Sequence, residues 1–271
     1  MEQDLYKEHI TFSFGKNWRS YIDSMTSDRV EGARKDIEEW LGHDGVQGKT
    51  VLDIGCGSGI HSLSYYLLGA KEILSFDADK YSIEATQILW EKAGRPSNWR
   101  IQDGSILDRE FIGNLDNYDI VYSWGVLHHT GSLWKAIDNA CSLVAPGGLL
   151  WISIYVKGPR YPEHLALKQA YNRASVLGKK FMVWKEIYKM MRLRVSWRQN
   201  PFAWNTKVDR GMDVYHDLID WLGGLPYEVA SKEEIIDFCQ ARGLLLNKVN
   251  EVPEGGCRSY LLYRPAKQQH F

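Results

Sequence analysis

Residues 50–59, Thr-Val-Leu-Asp-Ile-Gly-Cys-Gly-Ser-Gly, constrain the fold of this chain more than any other segment. A short apolar run carries an acid, Asp53, near its end and gives way to three alternating glycines, Gly55, Gly57 and Gly59, before a helical pattern begins. Strand, tight glycine turn and helix form the first crossover of a doubly wound sheet, in which ligands bind at the carboxyl ends of strands. Because glycine has no Cβ, a ligand can approach the main-chain N–H groups of such a turn. The segment therefore predicts an α/β fold with a ligand site beside the turn.

The spacing of these glycines distinguishes between two kinds of ligand. A dinucleotide-binding turn requires Gly-x-Gly-x-x-Gly, but Ile60 stands where the last of those glycines would be. Asp53, two residues before the first glycine, suits a cationic or amino-bearing ligand better than a diphosphate. The segment resembles motif I of the class I S-adenosylmethionine-dependent methyltransferases. The alternative from another class of enzyme is an NAD-dependent oxidoreductase. The purely structural alternative is a glycine turn that binds no ligand.

Composition and charge limit the partners that the chain is expected to have. The net charge of its 271 residues is −1, so no overall field attracts nucleic acid or an anionic membrane. No apolar run is long enough to span a bilayer, and the N-terminus lacks the apolar stretch of a signal peptide. The four cysteines lack the spacing of a zinc site or a disulfide framework. We therefore expect a cytoplasmic protein with reduced thiols, no metal and no membrane partner.

A second acid follows the next predicted strand. Residues 71–77 form an apolar stretch that ends in Asp77, about twenty residues after the glycines. An acid at that place can accept hydrogen bonds from both ribose hydroxyls of an adenosine. Asp77 resembles the motif II acid of the methyltransferase family, although dinucleotide enzymes also carry such an acid. Asp79 follows, and we expect it to cap a helix over residues 81–92.

Residues 99–105 predict a short third strand followed by a turn. The resemblance to the family implies that Asp103, with the backbone of Gly104 and Ser105 alongside, contacts the adenine ring. Asp103 can equally form an Asx turn with its own side chain. Both interpretations of this acid stay open at the level of sequence.

Residues 118–130, Tyr-Asp-Ile-Val-Tyr-Ser-Trp-Gly-Val-Leu-His-His-Thr, form the second strong motif. They resemble the strand and loop of small-molecule methyltransferases, in which Leu-His-His or a close variant follows the strand. The resemblance implies that Ser123 and Trp124 lie beside the methionine part of the cofactor, with His128 and His129 at the pocket mouth. Histidine is a natural base near neutral pH, and we favour His129. The alternative is that both histidines shape the loop and catalysis rests on proximity.

The remaining pattern completes a predicted sheet. Residues 145–148, Ala-Pro-Gly-Gly, precede an apolar fifth strand, and residues 244–252 and 259–263 predict the last two strands. The resemblance implies a doubly wound, Rossmann-like sheet of seven mostly parallel strands in the order 3-2-1-4-5-7-6. We expect four segments: an N-terminal arm and helix (1–45), the S-adenosylmethionine-binding core (46–157), a helical lid insertion (158–224) and the C-terminal part of the sheet (225–271).

The predicted lid is rich in basic residues and poor in acids between residues 158 and 204. Three interpretations stay open. The basic side chains can form a solvated face, steer an anionic substrate, or bind tRNA. The third is the weakest, because the whole chain lacks the basic excess of nucleic-acid-binding proteins.

The acceptor pocket is expected between the N-terminal arm and the lid, where aromatic side chains suit a planar or apolar substrate and arginines can bind a carboxylate or phosphate. We expect a methyltransferase that modifies an oxygen or nitrogen of a small biosynthetic molecule with S-adenosyl-L-methionine. Alternatives are an RNA-nucleoside methyltransferase, the oxidoreductase named above and a non-catalytic cofactor-binding module. The candidate substrate-binding residues are Phe14, Asn17, Trp18, Tyr21, Tyr155, Arg210, Tyr215, His216 and Arg258.

Overall fold

The structure is a computed structural model that describes residues 14–15, 27–205 and 214–266. Within those residues, seven strands form a single sheet. The strands are β1 (Thr50–Ile54), β2 (Glu72–Asp77), β3 (Trp99–Asp103), β4 (Tyr118–Trp124), β5 (Val144–Tyr155), β6 (Leu245–Val249) and β7 (Cys257–Tyr263).

The strand order is β3-β2-β1-β4-β5-β7-β6, which confirms the predicted topology. The first five strands pair in parallel, and β7 pairs antiparallel with both β5 and β6. The helices of the described ranges are α1 (Ser27–Leu41), α2 (Ile60–Leu67), α3 (Lys80–Lys92), α4 (Arg109–Gly113), α5 (Leu133–Ser142), α6 (Tyr161–Arg173), α7 (Val176–Ser196), α8 (Val214–Gly223) and α9 (Lys232–Gln240).

Alternation along the strands supplies a hydrophobic core to each face of the sheet. In β1, Leu52 and Ile54 belong to the core that also contains residues of α5 and α9. Val51 belongs to the opposite core, beside residues of α1, α2 and α3. Successive strand residues point to opposite faces, so a strand covered by helices on both sides needs an apolar run such as this one. The carboxyl ends of β1, β2 and β4 are thereby fixed on one edge of a rigid sheet.

The described part of the predicted lid contains three α-helices that pack on one another. Tyr171 of α6, Val183 and Ile187 of α7, and Leu222 of α8 form a separate buried cluster. The apolar repeat of this region divides into α6 and α7 because Ala174 has extended backbone, with φ −68° and ψ 148°. The boundaries of the four predicted segments remain a prediction.

Ser231 and Ser132 both occupy N-cap positions of helices but differ in what their side chains do. Ser231 begins α9 with a capping box, in which its Oγ accepts from Glu234 N (3.1 Å) and its N donates to Glu234 Oε2 (2.7 Å). Ser132 precedes α5, and its side chain makes no capping hydrogen bond. The two positions therefore offer a matched test of what the capping box contributes.

We predict that Ser231→Ala lowers the free energy of unfolding by about 1 kcal/mol, because an N-cap side chain satisfies an otherwise unpaired helix N–H group. Ser132→Ala is the control and should change it by less than about 0.5 kcal/mol. Urea denaturation followed by circular dichroism measures both. Equal effects of the two substitutions would contradict the assignment of the capping box.

Candidate active site

A cavity of about 1070 Å³ opens at the carboxyl ends of β1, β2 and β4. Its wall includes the glycine turn after β1, the loop after β2, residues 104–107 after β3 and the loop after β4. The lid contributes residues of α8, and the β6–β7 connection contributes Gly255 and Gly256. Ligands of doubly wound sheets bind at this edge, so the cavity lies where the sequence predicts it.

The glycine turn forms the floor of the cavity through positive φ angles. Gly55 (φ 73°) and Gly57 (φ 55°) both line it, and L side chains rarely adopt that backbone conformation. A Cβ on Gly55 would lie 2.5 Å from Val126 Cγ1, so the turn also packs tightly against the loop after β4. Gly59 does not line the cavity. A Cβ there would meet Thr86 Cγ2 at 2.9 Å, so this glycine lets α2 and α3 approach closely.

Asp77 is held at the end of β2 by two backbone donors. Gly57 N donates to its Oδ2 (3.0 Å), and Asp79 N donates to its Oδ1 (2.9 Å). Each carboxylate oxygen keeps further acceptor capacity, and the side chain lines the cavity. Burial raises the pKa of Asp77 to about 6, while the two backbone donors lower it. Asp79 caps α3 as predicted, since its Oδ1 accepts from Tyr81 N.

Asp53 is joined to a buried chain of hydrogen bonds below the glycine turn. Its Oδ2 accepts from Ser62 Oγ at 2.5 Å, Ser62 Oγ lies 2.6 Å from Ser75 Oγ, and Trp99 Nε1 donates to Ser75 Oγ at 2.8 Å. Asp53 is only 2% exposed but still lines the cavity. Burial raises the pKa of its carboxyl to about 7, with the nearby charge of Asp77 adding to the shift.

Of the other predicted cofactor-binding residues, three line the cavity and two do not. Gly104, Ser105 and Trp124 line the cavity. Asp103 is exposed and does not line it, so an adenine contact by its side chain stays a prediction. Ser123 is fully buried behind the wall, where its Oγ donates to Ile54 O at 3.0 Å and joins β4 to β1.

His129 lines the cavity and is oriented by the segment that follows α8. Its Nδ1 lies 2.5 Å from Pro226 O, a hydrogen bond in which Nδ1 donates, so Nε2 of the neutral ring carries the lone pair. A Cβ on Gly224 would lie 2.6 Å from His129 Cε1, so no larger residue fits beside the ring. Burial, and then the charge of Lys168, lowers the pKa of His129 to about 3.

His128 points elsewhere. Its ring is fully buried, does not line the cavity and packs against Tyr155 with 4.2 Å between ring centroids. Burial lowers its pKa well below the usual range. Of the two histidines, His129 is therefore the one that lines the cavity, and a catalytic role for either stays a prediction.

The predicted acceptor residues are brought together only in part. Phe14 and Tyr155 line the cavity, and the Phe14 ring lies 4.9 Å from that of His129. Arg258 does not line it and instead pairs with Glu251 (Nη2–Oε2, 2.7 Å). Tyr215 and His216 lie on α8 but not in the wall, while Asn17, Trp18, Tyr21 and Arg210 lie outside the described residues.

Several wall residues were not predicted from the sequence. Asp217, Asp220 and Trp221 of α8 line the cavity, where the sequence indicated only an amphipathic segment. Their three- and four-residue spacing puts them on one face of a helix, which was the available signal. From α1 and α2, Asp36 and His61 also line the wall, with His61 Nε2 4.0 Å from Asp36 Oδ2.

Carboxylates outnumber cations in the described wall. Its two lysines are Lys80 and Lys248, and Lys248 Nζ lies 3.9 Å from Glu39 Oε1. No three His, Cys, Asp or Glu side chains cluster as a metal site requires within the described ranges. The acidic wall residues are Asp36, Glu39, Asp53, Asp77, Asp79, Asp217 and Asp220.

The chain resembles known proteins in sequence over part of its length and in fold over most of it. A family model described as a methyltransferase domain matches residues 46–195. The ubiquinone biosynthesis O-methyltransferase of Methylobacterium sp. (strain 4-46) is 30% identical over 111 residues, which are 41% of this chain and 43% of that protein. The tRNA U34 carboxymethyltransferase of Idiomarina loihiensis is 30% identical over 117 residues, 42% of this chain and 36% of that protein. The chain thus matches less than half the length of each of these curated relatives.

Solved structures share the fold at low sequence identity. An O-methyltransferase family protein from Burkholderia thailandensis has a TM-score of 0.56 at 15% identity, covering 92% of this chain and 60% of that one. The magnesium protoporphyrin IX methyltransferase of Synechocystis PCC 6803, solved with bound SAH, has a TM-score of 0.52 at 16% identity, covering 92% and 84%.

The sheet order and the glycine turn define the fold of the class I S-adenosylmethionine-dependent methyltransferases. The family match, which spans more than half of the chain, shows that this protein belongs to that family. Among the helices of the described ranges, none combines the length and apolar composition needed to cross a bilayer.

The raised pKa of Asp53 predicts how stability depends on pH in the ligand-free protein. Between about pH 4 and pH 7 the folded protein keeps a proton that the unfolded chain has lost, so raising the pH lowers the free energy of unfolding. The stabilisation that this bound proton provides is fully present below the pKa of Asp53 in the unfolded chain, and it disappears above pH 7. The free energy of unfolding should therefore decline by the order of 2–4 kcal/mol over this pH range, and we predict that Asp53→Asn removes this decline.

Urea denaturation at several pH values measures this dependence. Asp44→Asn, which changes an exposed carboxyl, is the control and should keep the decline of the unmodified protein. A parallel pH dependence in the Asp53→Asn variant and the unmodified protein would contradict the assignment.

Proposed function

We propose that this protein transfers a methyl group from S-adenosylmethionine to an oxygen or nitrogen of a small molecule. The observation that supports this function best is the single cavity wall that joins the open glycine turn, two buried carboxylates and a histidine with a free Nε2 lone pair. Gly55 and Gly57 line the cavity with positive φ angles, and Asp77 keeps acceptor capacity. These features fit S-adenosylmethionine.

Each part of the cofactor would be held by a different part of the wall. Asp77 would accept from the ribose hydroxyls, and Gly104 and Ser105 would contact the adenine ring. Asp53, below the glycine turn, would face the ammonium group, which favours its ionised form. Trp124 would pack beside the methionine chain.

S-adenosylmethionine supplies a methyl group already activated by its sulfonium. The protein therefore needs to orient the acceptor, exclude water and remove a proton. Phe14 and Tyr155 would exclude water beside His129, and His129 Nε2 would take the proton from a hydroxyl or ammonium acceptor. The hydrogen bond to Pro226 O would keep the ring in the tautomer that accepts at Nε2.

The charge of the wall bears on the acceptor. With seven carboxylates and two lysines among the described wall residues, a neutral or cationic acceptor is favoured over an anionic one. Arg258, expected to bind a carboxylate or phosphate, pairs with Glu251 instead. We propose that the acceptor is a neutral alcohol, phenol or amine, and that the enzyme works in the cytoplasm, because its four cysteines lack the spacing of a disulfide framework.

A second candidate is the methylation of an RNA nucleoside, for which the basic residues of α7 are the supporting observation. It requires tRNA binding that weakens steeply with salt. Titration of tRNA at two salt concentrations distinguishes the two functions.

We predict that Asp77→Ala weakens binding of S-adenosylhomocysteine at least tenfold, because hydrogen bonds to a buried charged acceptor are worth about 1.5–3 kcal/mol. Isothermal titration calorimetry measures the dissociation constant. Asp116→Asn, which changes an exposed acid before β4, should bind as the unmodified protein does. If folded unmodified protein gives no heat with this compound, the proposed function fails.

We predict that His129→Ala lowers kcat about 10²–10³-fold, as removal of a general base does, and leaves the cofactor dissociation constant within about twofold. The change in kcat is measured with an identified acceptor under single-turnover conditions, and His43→Ala, at an exposed histidine, is the control. Because the pKa of His129 is lowered to about 3, its base form persists down to pH 5. A His129-dependent loss of kcat between pH 7 and pH 6 would contradict this assignment, and an unchanged kcat would assign catalysis to proximity alone.

A further inference from the structure

Helix α7 presents a stripe of large apolar side chains to solvent. Leu177, Phe181, Trp184 and Tyr188 are 78%, 71%, 64% and 62% exposed, and Val195 is 59% exposed. At 3.6 residues per turn, these five positions fall within about 60° of the helix circumference. Exposed apolar patches of this continuity mark interaction surfaces, whereas single exposed apolar residues are ordinary.

A different face of the same helix holds it to the protein. Val183 and Ile187 are 6% and 1% exposed and join the buried cluster with Tyr171 of α6 and Leu222 of α8. The exposed stripe is therefore distinct from the face of α7 that packs in the lid. The helix has one apolar face for the lid and a second one that the lid leaves uncovered.

Basic side chains border the exposed stripe. Lys180 is exposed on one side, and Lys185 and Arg192 are exposed on the other. Between Arg173 and Asn200 the sequence holds eight basic residues and one acid, Glu186. The combination of Trp, Phe, Tyr and Leu on one face with Lys and Arg beside it is typical of helices that lie in the interface of a bilayer.

We infer that the exposed stripe of α7 docks this protein on the surface of an anionic lipid bilayer. The charge is complementary to phosphate headgroups, and aliphatic Leu177 and Val195 extend the stripe beyond what base stacking on RNA uses. A second copy of the chain would bring like-charged borders together, which costs binding energy. The expectation of no membrane partner depended on the net charge of −1 and on the absence of a spanning segment. Neither concerns a locally basic helix that lies on the surface. The inference is independent of the proposed methyl acceptor.

Co-sedimentation with vesicles tests this surface. The full chain should bind vesicles of equal parts phosphatidylcholine and phosphatidylglycerol, bind pure phosphatidylcholine at least tenfold more weakly, and bind less as salt increases. Phe181→Ser combined with Trp184→Ser should weaken binding at least tenfold. Lys185→Gln combined with Arg192→Gln should weaken it by a similar factor, at roughly fivefold per cation.

Matched controls change the same residue types elsewhere. Leu67→Ser removes another apolar side chain that is 50% exposed, and Lys92→Gln with Arg109→Gln removes two exposed cations. Both should bind vesicles as the unmodified protein does, and circular dichroism should show all variants folded. Any of three results would overturn the inference: no binding by folded protein, equal losses in the control variants, or dimers in sedimentation velocity that the Phe181/Trp184 variant abolishes while vesicle binding persists. Binding of tRNA without binding of vesicles would overturn it as well and assign the stripe to RNA.

Discussion

The chain of hydrogen bonds from Trp99 through Ser75 and Ser62 to Asp53 supports the cofactor end of the cavity. It connects β3, β2, α2 and β1 below the glycine turn. An acid buried to 2% exposure would be costly without such partners. The chain of donors fixes Asp53 where a carboxylate is needed, and the same burial raises its pKa. The cost of ionising Asp53 is therefore electrostatic, and it comes from burial and from the nearby charge of Asp77.

Much of this arrangement is predictable because it depends on local sequence. The glycine turn, the acid at the end of β2 and the helix caps each involve residues close together in the chain, where backbone geometry dictates residue type. Asp79 is a clear case, since its Oδ1 accepts from Tyr81 N, two residues later in the chain. The topology follows from alternating strand and helix patterns, with the antiparallel β7 known only through the family resemblance.

The acceptor end could not be predicted in the same way. His129 is oriented by Pro226, which lies 97 residues later in the chain, and its ring packs against the position of Gly224. Nothing near His129 in the sequence indicates either contact. The adjacent histidines also look equivalent in sequence, yet the short 3₁₀ turn at Leu127–His129 sends one ring into the core and the other to the cavity. Arg258 has the chemistry to bind an anionic substrate, but in the structure it forms a salt bridge with the neighbouring Glu251.

The lid connects these two ends through a buried lysine. Lys168 of α6 is fully buried, donates to Trp221 O and lies 4.6 Å from the centroid of the Tyr227 ring and 5.4 Å from that of Tyr155. Aromatic faces stabilise its charge in place of water, although burial still lowers its pKa to about 7. That charge in turn contributes to the lowered pKa of His129. Because Lys168 belongs to the predicted lid, that segment contributes, after burial, to keeping His129 unprotonated.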